Sequence, residues 1–350
     1  MRNAQIHRVI VHRLGSLGDF IVSLPCFHLI RNSFPNAEIL LLTNSPVDNR
    51  AAPAISVLGN AGFIDRYLEY PVGTRNIAPL VQLCREIRSL APDLVIYLVQ
   101  RTDAISVWRD YVFFRAAGVN RLVGFPFRKE LREYRRPQAG SDLWESEASR
   151  LARCMAPLGN ARIDSPESWN LRLTQNEIAA ADQLLATVSP PPMGFIAMSI
   201  GAKQAIKDWG DENWRHVLAG LRDPDLGLVL VGAAEEFDRS QEMAHHWPGP
   251  VVNACGLTTP RQSAALLHRV RLLLCHDSGP MHLAAAERTR CVAVFSTLGH
   301  KGEWFPFGDR HFIFYPERGA SSIQSIAPEP VLSAARSALT EASPVGTPTC

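Results

Sequence analysis

The sequence predicts an α/β protein of two doubly wound halves, each a parallel sheet covered by helices on both faces. Three observations carry that expectation. Short apolar runs alternate with amphipathic stretches through the first half and again through the second. The 350 residues exceed the roughly 250 to 300 that one hydrophobic core organises. A stretch with Pro166 and the triplet Pro190-Pro191-Pro192 separates the two alternating regions.

In the first half a buried strand is expected over 8–12, a glycine turn over 14–19, and a helix over 20–33 with Ile21, Leu24, Phe27 and Leu29 on its apolar positions. Strands follow over 38–43, 94–98 and 121–125, and helices over 77–90, 104–117 and 143–155. The strands are apolar throughout rather than alternating, as in parallel sheets buried on both faces. The second half has strands over 194–199, 226–231, 271–275 and 291–295, with helices over 211–221, 235–245, 260–270 and 280–287. The expected domains are 1–175, a linker region over 176–192 with a short helix, and 193–330; a closing helix and a tail over 331–350 complete the chain.

Net charge of +2 and 20% charged residues describe an ordinary globular protein and give no reason to expect nucleic acid as a partner. No apolar run approaches the roughly 18 residues of a membrane span. Met1-Arg2-Asn3-Ala4-Gln5 lacks the apolar core of a signal peptide, so a cytoplasmic protein is expected. The seven cysteines form no C-x-x-C pair and read as reduced thiols. Of 36 basic residues only four are lysines, and two of these, Lys203 and Lys207, share one loop, where a compact ammonium suits an anionic ligand.

The run Cys275-His276-Asp277-Ser278-Gly279-Pro280-Met281-His282 joins an apolar strand to a small-residue helix. Unpaired N–H groups and the helix dipole at such a turn favour a phosphate, and Ser278, Gly279 and His282 add a hydroxyl, close backbone approach and an imidazole. A capped βα turn, with Asp277 or Ser278 as N-cap, suits the same residues. The matching turn of the second half's first strand, Ser199-Ile200-Gly201-Ala202-Lys203 to Lys207-Asp208-Trp209, offers a hydroxyl, a glycine backbone and two ammonium groups. After the next strand, Glu236 could accept bonds from ribose hydroxyls or simply be acidic at a helix start.

Gly15-Ser16-Leu17-Gly18-Asp19 is not G-x-G-x-x-G, and the charge of Asp19 would repel a pyrophosphate, so a nicotinamide dinucleotide is disfavoured. Asp19 is either an N-cap or a carboxylate facing the ligand edge of the sheet. Asp223-Pro224-Asp225 reads as an ordinary turn. His245-His246, and His276 with His282, lack metal-ligand spacing, so no metal and no cofactor are expected.

Together these motifs resemble glycosyltransferase family 9, the ADP-heptose:lipopolysaccharide heptosyltransferases, over roughly residues 9–315. Arg13-Leu14-Gly15-Ser16-Leu17-Gly18-Asp19, then Ser23-Leu24-Pro25 and Phe34-Pro35-Asn36-Ala37, match the family's opening. Lys207-Asp208-Trp209-Gly210 matches its K-x-W-P loop, with glycine in place of proline. Asp277 to Ala285 preserves D-[ST]-G-x-x-H-x-A-A, and Trp304 to Gly308 resembles a later W-x-P-x-G. Phe295-Ser296-Thr297-Leu298 departs from the usual G-P-T.

The resemblance implies a GT-B fold, two Rossmann-like domains facing a central cleft, and an inverting, metal-independent transfer of a sugar from a nucleotide-diphosphate donor. It implies Asp19 as base, with Arg13 and Gly18 on the acceptor side. It implies a donor site of Ser199, Gly201, Lys203, Lys207, Glu236, Asp277, Ser278, Gly279, His282 and Thr297, with Lys207 on the diphosphate. The chemistry agrees: inversion needs a base opposite the leaving group, and a departing diphosphate needs fixed positive charge. A nucleotide-sugar-binding protein without turnover is the rival reading.

Between Arg101 and Arg136 nine basic residues face four acidic ones, a local excess of +5 in a chain of net +2. The run Arg128-Lys129-Glu130-Leu131-Arg132-Glu133-Tyr134-Arg135-Arg136 follows Phe125-Pro126-Phe127. Arg132, Arg135 and Arg136 are therefore expected to hold an anionic glycolipid acceptor at the inner membrane surface; solvated helix faces are the alternative.

Overall fold

The computed structural model describes residues 6–44, 52–73, 76–317 and 322–341. The chain divides into two compact units, Met1–Asn170 with Lys301–Trp304, and Leu171–His300 with Phe305–Cys350.

The first unit holds a five-stranded parallel sheet of β1 (Arg8–His12), β2 (Glu38–Asn44), β3 (Arg66–Tyr70), β4 (Leu94–Tyr97) and β5 (Leu122–Val123), in the order β3-β2-β1-β4-β5. The second holds six parallel strands, β6 (Gly194–Ser199), β7 (Leu226–Leu230), β8 (Val251–Asn253), β9 (Val270–His276), β10 (Cys291–Val294) and β11 (Phe312–Phe314), in the order β11-β10-β9-β6-β7-β8. Each sheet starts in its middle, winds out to one edge, then crosses to the other side. That is the doubly wound Rossmann-like topology, whose ligand crevice opens at the carboxyl ends of the strands where the order reverses. The reversal lies between β1 and β4 in the first unit and between β6 and β9 in the second.

Burial explains the central strands. Val9 to Val11, Ile39 to Leu42 and Leu272 to Cys275 are fully buried, so both faces of each strand are apolar. β3, β8 and β11 were not expected from the sequence: all three are edge strands, β8 and β11 have only three residues each, and in β3 only Leu68 is buried while Arg66 and Glu69 are exposed.

The expected helix over 20–33 is two helices, Leu17–Ile21 and Leu24–Ser33. Pro25 lies in the first turn of the second, where its missing N–H costs nothing but cannot continue a preceding helix. The segment over 235–245 begins as a 3-10 turn, Ala234–Glu236, before Phe237–Met243.

The helix Gln175–Leu185, within the region read as a linker, is tied to the second unit by Arg261 to Glu177 at 2.6 Å and Arg269 to Asp182 at 2.8 Å. The excursion Lys301–Trp304 is held in the first unit because the Trp144 and Glu147 N–H groups donate to the Lys301 and Glu303 carbonyls. The closing helix runs over Pro328–Glu341, and the tail over 342–350 lies outside the described residues.

Candidate active site

Both groups of residues singled out by sequence lie at the carboxyl ends of the strands that flank each reversal point. In the first unit the chain leaves β1 at His12 and turns into the Leu17–Ile21 helix. Ser16 is the N-cap and Asp19 the third helical residue, so Asp19 sits one turn inside the helix rather than ahead of it. The Asp19 carboxylate reaches back to the cap: Ser16 N–H donates to Oδ2 at 2.8 Å and the Ser16 hydroxyl at 3.3 Å. Gly15 has φ +143°, and a Cβ there would overlap the Asp19 side chain, so the turn requires glycine. Asn44, at the end of β2, grips the same glycine from the side, accepting from its N–H at 2.8 Å and donating to its carbonyl at 3.3 Å.

Arg13, expected on the acceptor side, is fully buried instead. Its guanidinium donates to the Leu98 carbonyl at 2.8 Å and the Asp19 carbonyl at 2.9 Å, and lies 3.4 Å from Asp19 Oδ1 and 3.6 Å from Glu147 Oε1. Glu147, also fully buried, takes two bonds from Arg150 at 2.7 and 2.8 Å and one from the Tyr134 hydroxyl at 3.0 Å. Two buried guanidinium groups thus face two carboxylates, and burial together with Glu147 pushes the Tyr134 phenol up from its ordinary value. Gly18 lies in the same helical turn as Asp19.

The arginine run follows closely in space. Arg132 donates to the carbonyls of Pro126 and Phe127, so its head group binds its own segment, whereas Arg135 and Arg136 are exposed.

In the second unit the two turns nominated by sequence meet. Lys207, at the end of the 3-10 turn Ala205–Lys207, places Nζ 2.6 Å from Asp277 Oδ2. Ser278 is the N-cap of the Gly279–Ala286 helix, yet its hydroxyl turns back to the His276 carbonyl at 3.3 Å and makes no cap bond to the first-turn N–H groups. Those groups keep the partial positive charge of a helix start. Gly201 and Gly232 both face Glu236: a Cβ on either would overlap its carboxylate, which also accepts from Ala233 N–H at 2.9 Å. Ser199 is buried at the end of β6, beside Cys275 in register. His282 is buried within its helix, while Lys203 and Thr297 are exposed.

Sequence reasoning missed what holds this loop. His276, weighed only as a metal ligand, is buried, and its Nε2 accepts from Trp209 N–H at 3.0 Å and Trp214 Nε1–H at 3.2 Å. Burial lowers its pKa to about 4, so the ring is neutral and the acceptor is kept. Arg239 fastens the other side, binding Asp208 at 2.9 Å and Asp211 at 2.6 Å. Although burial opposes it, these bonds and the Gly210 N–H hold Asp208 below its ordinary range. The visible signal was the pair of tryptophans, Trp209 and Trp214, that follow the lysine loop.

Among the described residues no group of three or more His, Cys, Asp or Glu could hold a metal, and no helix is long and apolar enough to cross a membrane.

The family model for glycosyltransferase family 9 (heptosyltransferase) matches residues 144–326, just over half of the chain. Lipopolysaccharide heptosyltransferase 3 of Escherichia coli is 22% identical over 320 residues, 85% of this chain and 86% of that protein. Among solved structures, a family 9 glycosyltransferase from Veillonella parvula superposes with a TM-score of 0.72 at 18% identity, covering 96% of this chain and 98% of that one. The E. coli heptosyltransferase WaaC with ADP superposes with a TM-score of 0.64 at 15% identity, covering 95% and 99%. The fold shared with these structures is the GT-B fold.

Proposed function

The chain belongs to glycosyltransferase family 9, and from that premise we propose that it transfers a heptose from ADP-heptose to the core of a lipopolysaccharide, with inversion and without a metal. The observation that carries this reading is the 2.6 Å pair of Lys207 and Asp277, which joins the two anion-binding turns at the reversal point of the second sheet.

Asp277 holds the Lys207 ammonium beside the start of the Gly279–Ala286 helix, where the side-chain-free first-turn N–H groups lie. A diphosphate there takes the remaining ammonium protons and the helix-terminal N–H groups, and these stabilise the charge that grows on the leaving group. Glu236, seated between two glycines, supplies an acceptor for the ribose hydroxyls. In the first unit Asp19 takes the proton from the attacking hydroxyl as an oxocarbenium-like centre forms. Arg13 positions it and leaves the carboxylate 24% exposed. The names of the E. coli relatives, a lipopolysaccharide heptosyltransferase and a heptosyltransferase with ADP, support the donor and the acceptor class.

Arg135 and Arg136 contact phosphate or acidic sugar on the acceptor, and the enzyme works in the cytoplasm at the inner face of the bacterial inner membrane. The test is incubation with a panel of ADP-, GDP- and UDP-sugars and a lipid A-core acceptor. Heptose transfer with release of ADP is expected; binding of ADP-heptose with no transfer would leave the non-catalytic binding protein as the reading.

A further inference from the structure

The helix Ala104–Ala116 has two apolar faces. Val107 and Phe114 pack into the first unit's core. On the opposite face Ile105, Trp108 and Val112 recur at i, i+3 and i+7 and are 83%, 53% and 58% exposed. Phe127 extends this stripe, its ring 4.7 Å from that of Trp108 and 5.1 Å from that of Tyr111. An open groove lined by Ala104, Ile105, Trp108, Arg109 and Val112 runs along it.

The segment around the stripe is predominantly basic, with nine basic and four acidic residues over 101–136. Arg128 and Lys129 follow Phe127 directly, and Arg135 and Arg136 are exposed a few residues on. The acidic residues of the region are largely committed: Asp110 is buried and bound by Arg101 and Arg109, Asp103 caps the helix, and Glu133 pairs with Lys129. Only Glu130 stands exposed without such a role.

We propose that this stripe is the face on which the enzyme docks to an anionic phospholipid bilayer. Trp108, Ile105, Val112 and Phe127 enter the interfacial layer while Arg128 and Lys129, directly after Phe127, lie over lipid phosphates. An apolar face rimmed by cations matches that surface in both shape and charge. A second protein is a poorer match, since four apolar side chains fall far short of the roughly 20 to 30 residues a stable interface uses on each side. The proposal deepens the reading of a lipid-borne acceptor and rests on it.

The experiment is co-sedimentation of the full-length protein with vesicles of phosphatidylglycerol and phosphatidylcholine, or of phosphatidylcholine alone, across a salt series. Binding is expected on the anionic vesicles only and is expected to weaken with salt. The variant Ile105→Ser/Trp108→Ser/Val112→Ser should bind about tenfold more weakly or worse, and Arg128→Glu/Lys129→Glu should lose the salt dependence. Both should transfer sugar to a delipidated core acceptor at the wild-type rate. Wild-type protein that ignores anionic vesicles, or a triple variant that binds them normally, overturns the proposal. So does a triple variant that turns a wild-type dimer into a monomer, which would assign the stripe to a second copy. No vesicle or acceptor lipid is needed for transfer to the soluble acceptor, so failure of docking and failure of the heptose-transfer reading are separate results.

Discussion

Lys207 and Asp277 lie 70 positions apart in sequence and 2.6 Å apart in the second unit. Their side chains are largely buried, so each fixes the other's orientation. The ammonium is thereby held beside the start of the Gly279–Ala286 helix, and on the proposed reading a diphosphate would meet it already in place.

Lys207→Ala should therefore weaken donor binding and slow transfer together, by about 2 to 4 kcal/mol in kcat/KM. Calorimetry with ADP and steady-state kinetics check it. If both quantities match wild type, the lysine loop has no part in the donor site.

Asp19→Asn should lower kcat by about a hundredfold to ten-thousandfold while donor affinity stays within about threefold, because its charge matters only at the acceptor proton. Gly15→Ala should produce the same split, since its Cβ would displace the Asp19 side chain. Near-normal turnover in either variant would remove Asp19 as the base.

Much of this was legible in the sequence, for identifiable reasons. β1, β2, β6 and β9 stand out because a strand buried on both faces is a bare apolar run. Lys207, Asp277 and Asp19 stand out because polar turns after such strands are where anions and carboxylates gather. β3 does not, because Arg66 and Glu69 break its apolar pattern, and β8 and β11 are only three residues each, too short to stand out as strands. The roles of Arg13, Glu147 and His276 were also hidden: each is a polar residue buried by partners distant in sequence, and no local pattern marks that. Arg13 illustrates the cost, since its place in a motif suggested acceptor contact and its burial makes it a support for Asp19.

Glu147→Gln should reach Asp19 through Arg13. Removing one member of a buried ion pair leaves uncompensated charge and costs about 3 to 5 kcal/mol of stability. With Arg13 and Arg150 unbalanced, kcat should fall and the pH–rate profile shift, while ADP affinity is unchanged. Tyr134→Phe removes a neutral hydroxyl that donates to Glu147 and accepts from Gln100, costing about 1 kcal/mol, and should give a smaller change of the same kind. A destabilised Glu147→Gln with normal kcat and pH profile would make the network purely structural.

Arg135→Ala/Arg136→Ala should raise acceptor KM and flatten its salt dependence with donor affinity intact. Arg132→Ala is a different experiment: its head group serves the Pro126 and Phe127 carbonyls, so its loss should loosen the segment and lower stability as well. Acceptor kinetics unchanged across a salt series in the double variant would rule out an electrostatic acceptor site.

The last prediction concerns pH. Burial lowers both His12 and His276 from 6.5 to about 4, so each is neutral when folded and binds a proton more readily when unfolded. Between pH 6.5 and 4 the unfolded chain therefore holds more protons, and stability must rise with pH across that window. The contribution is fully present above 6.5 and is lost as pH falls through the folded values. NMR should find both imidazoles unprotonated at pH 5, and the unfolding midpoint should drop between pH 7 and 5. His276→Gln keeps an acceptor for the Trp209 and Trp214 N–H groups but cannot titrate, so it should flatten that drop. A variant with the full wild-type slope would show that His276 is not the group linking pH to the stability of the donor loop.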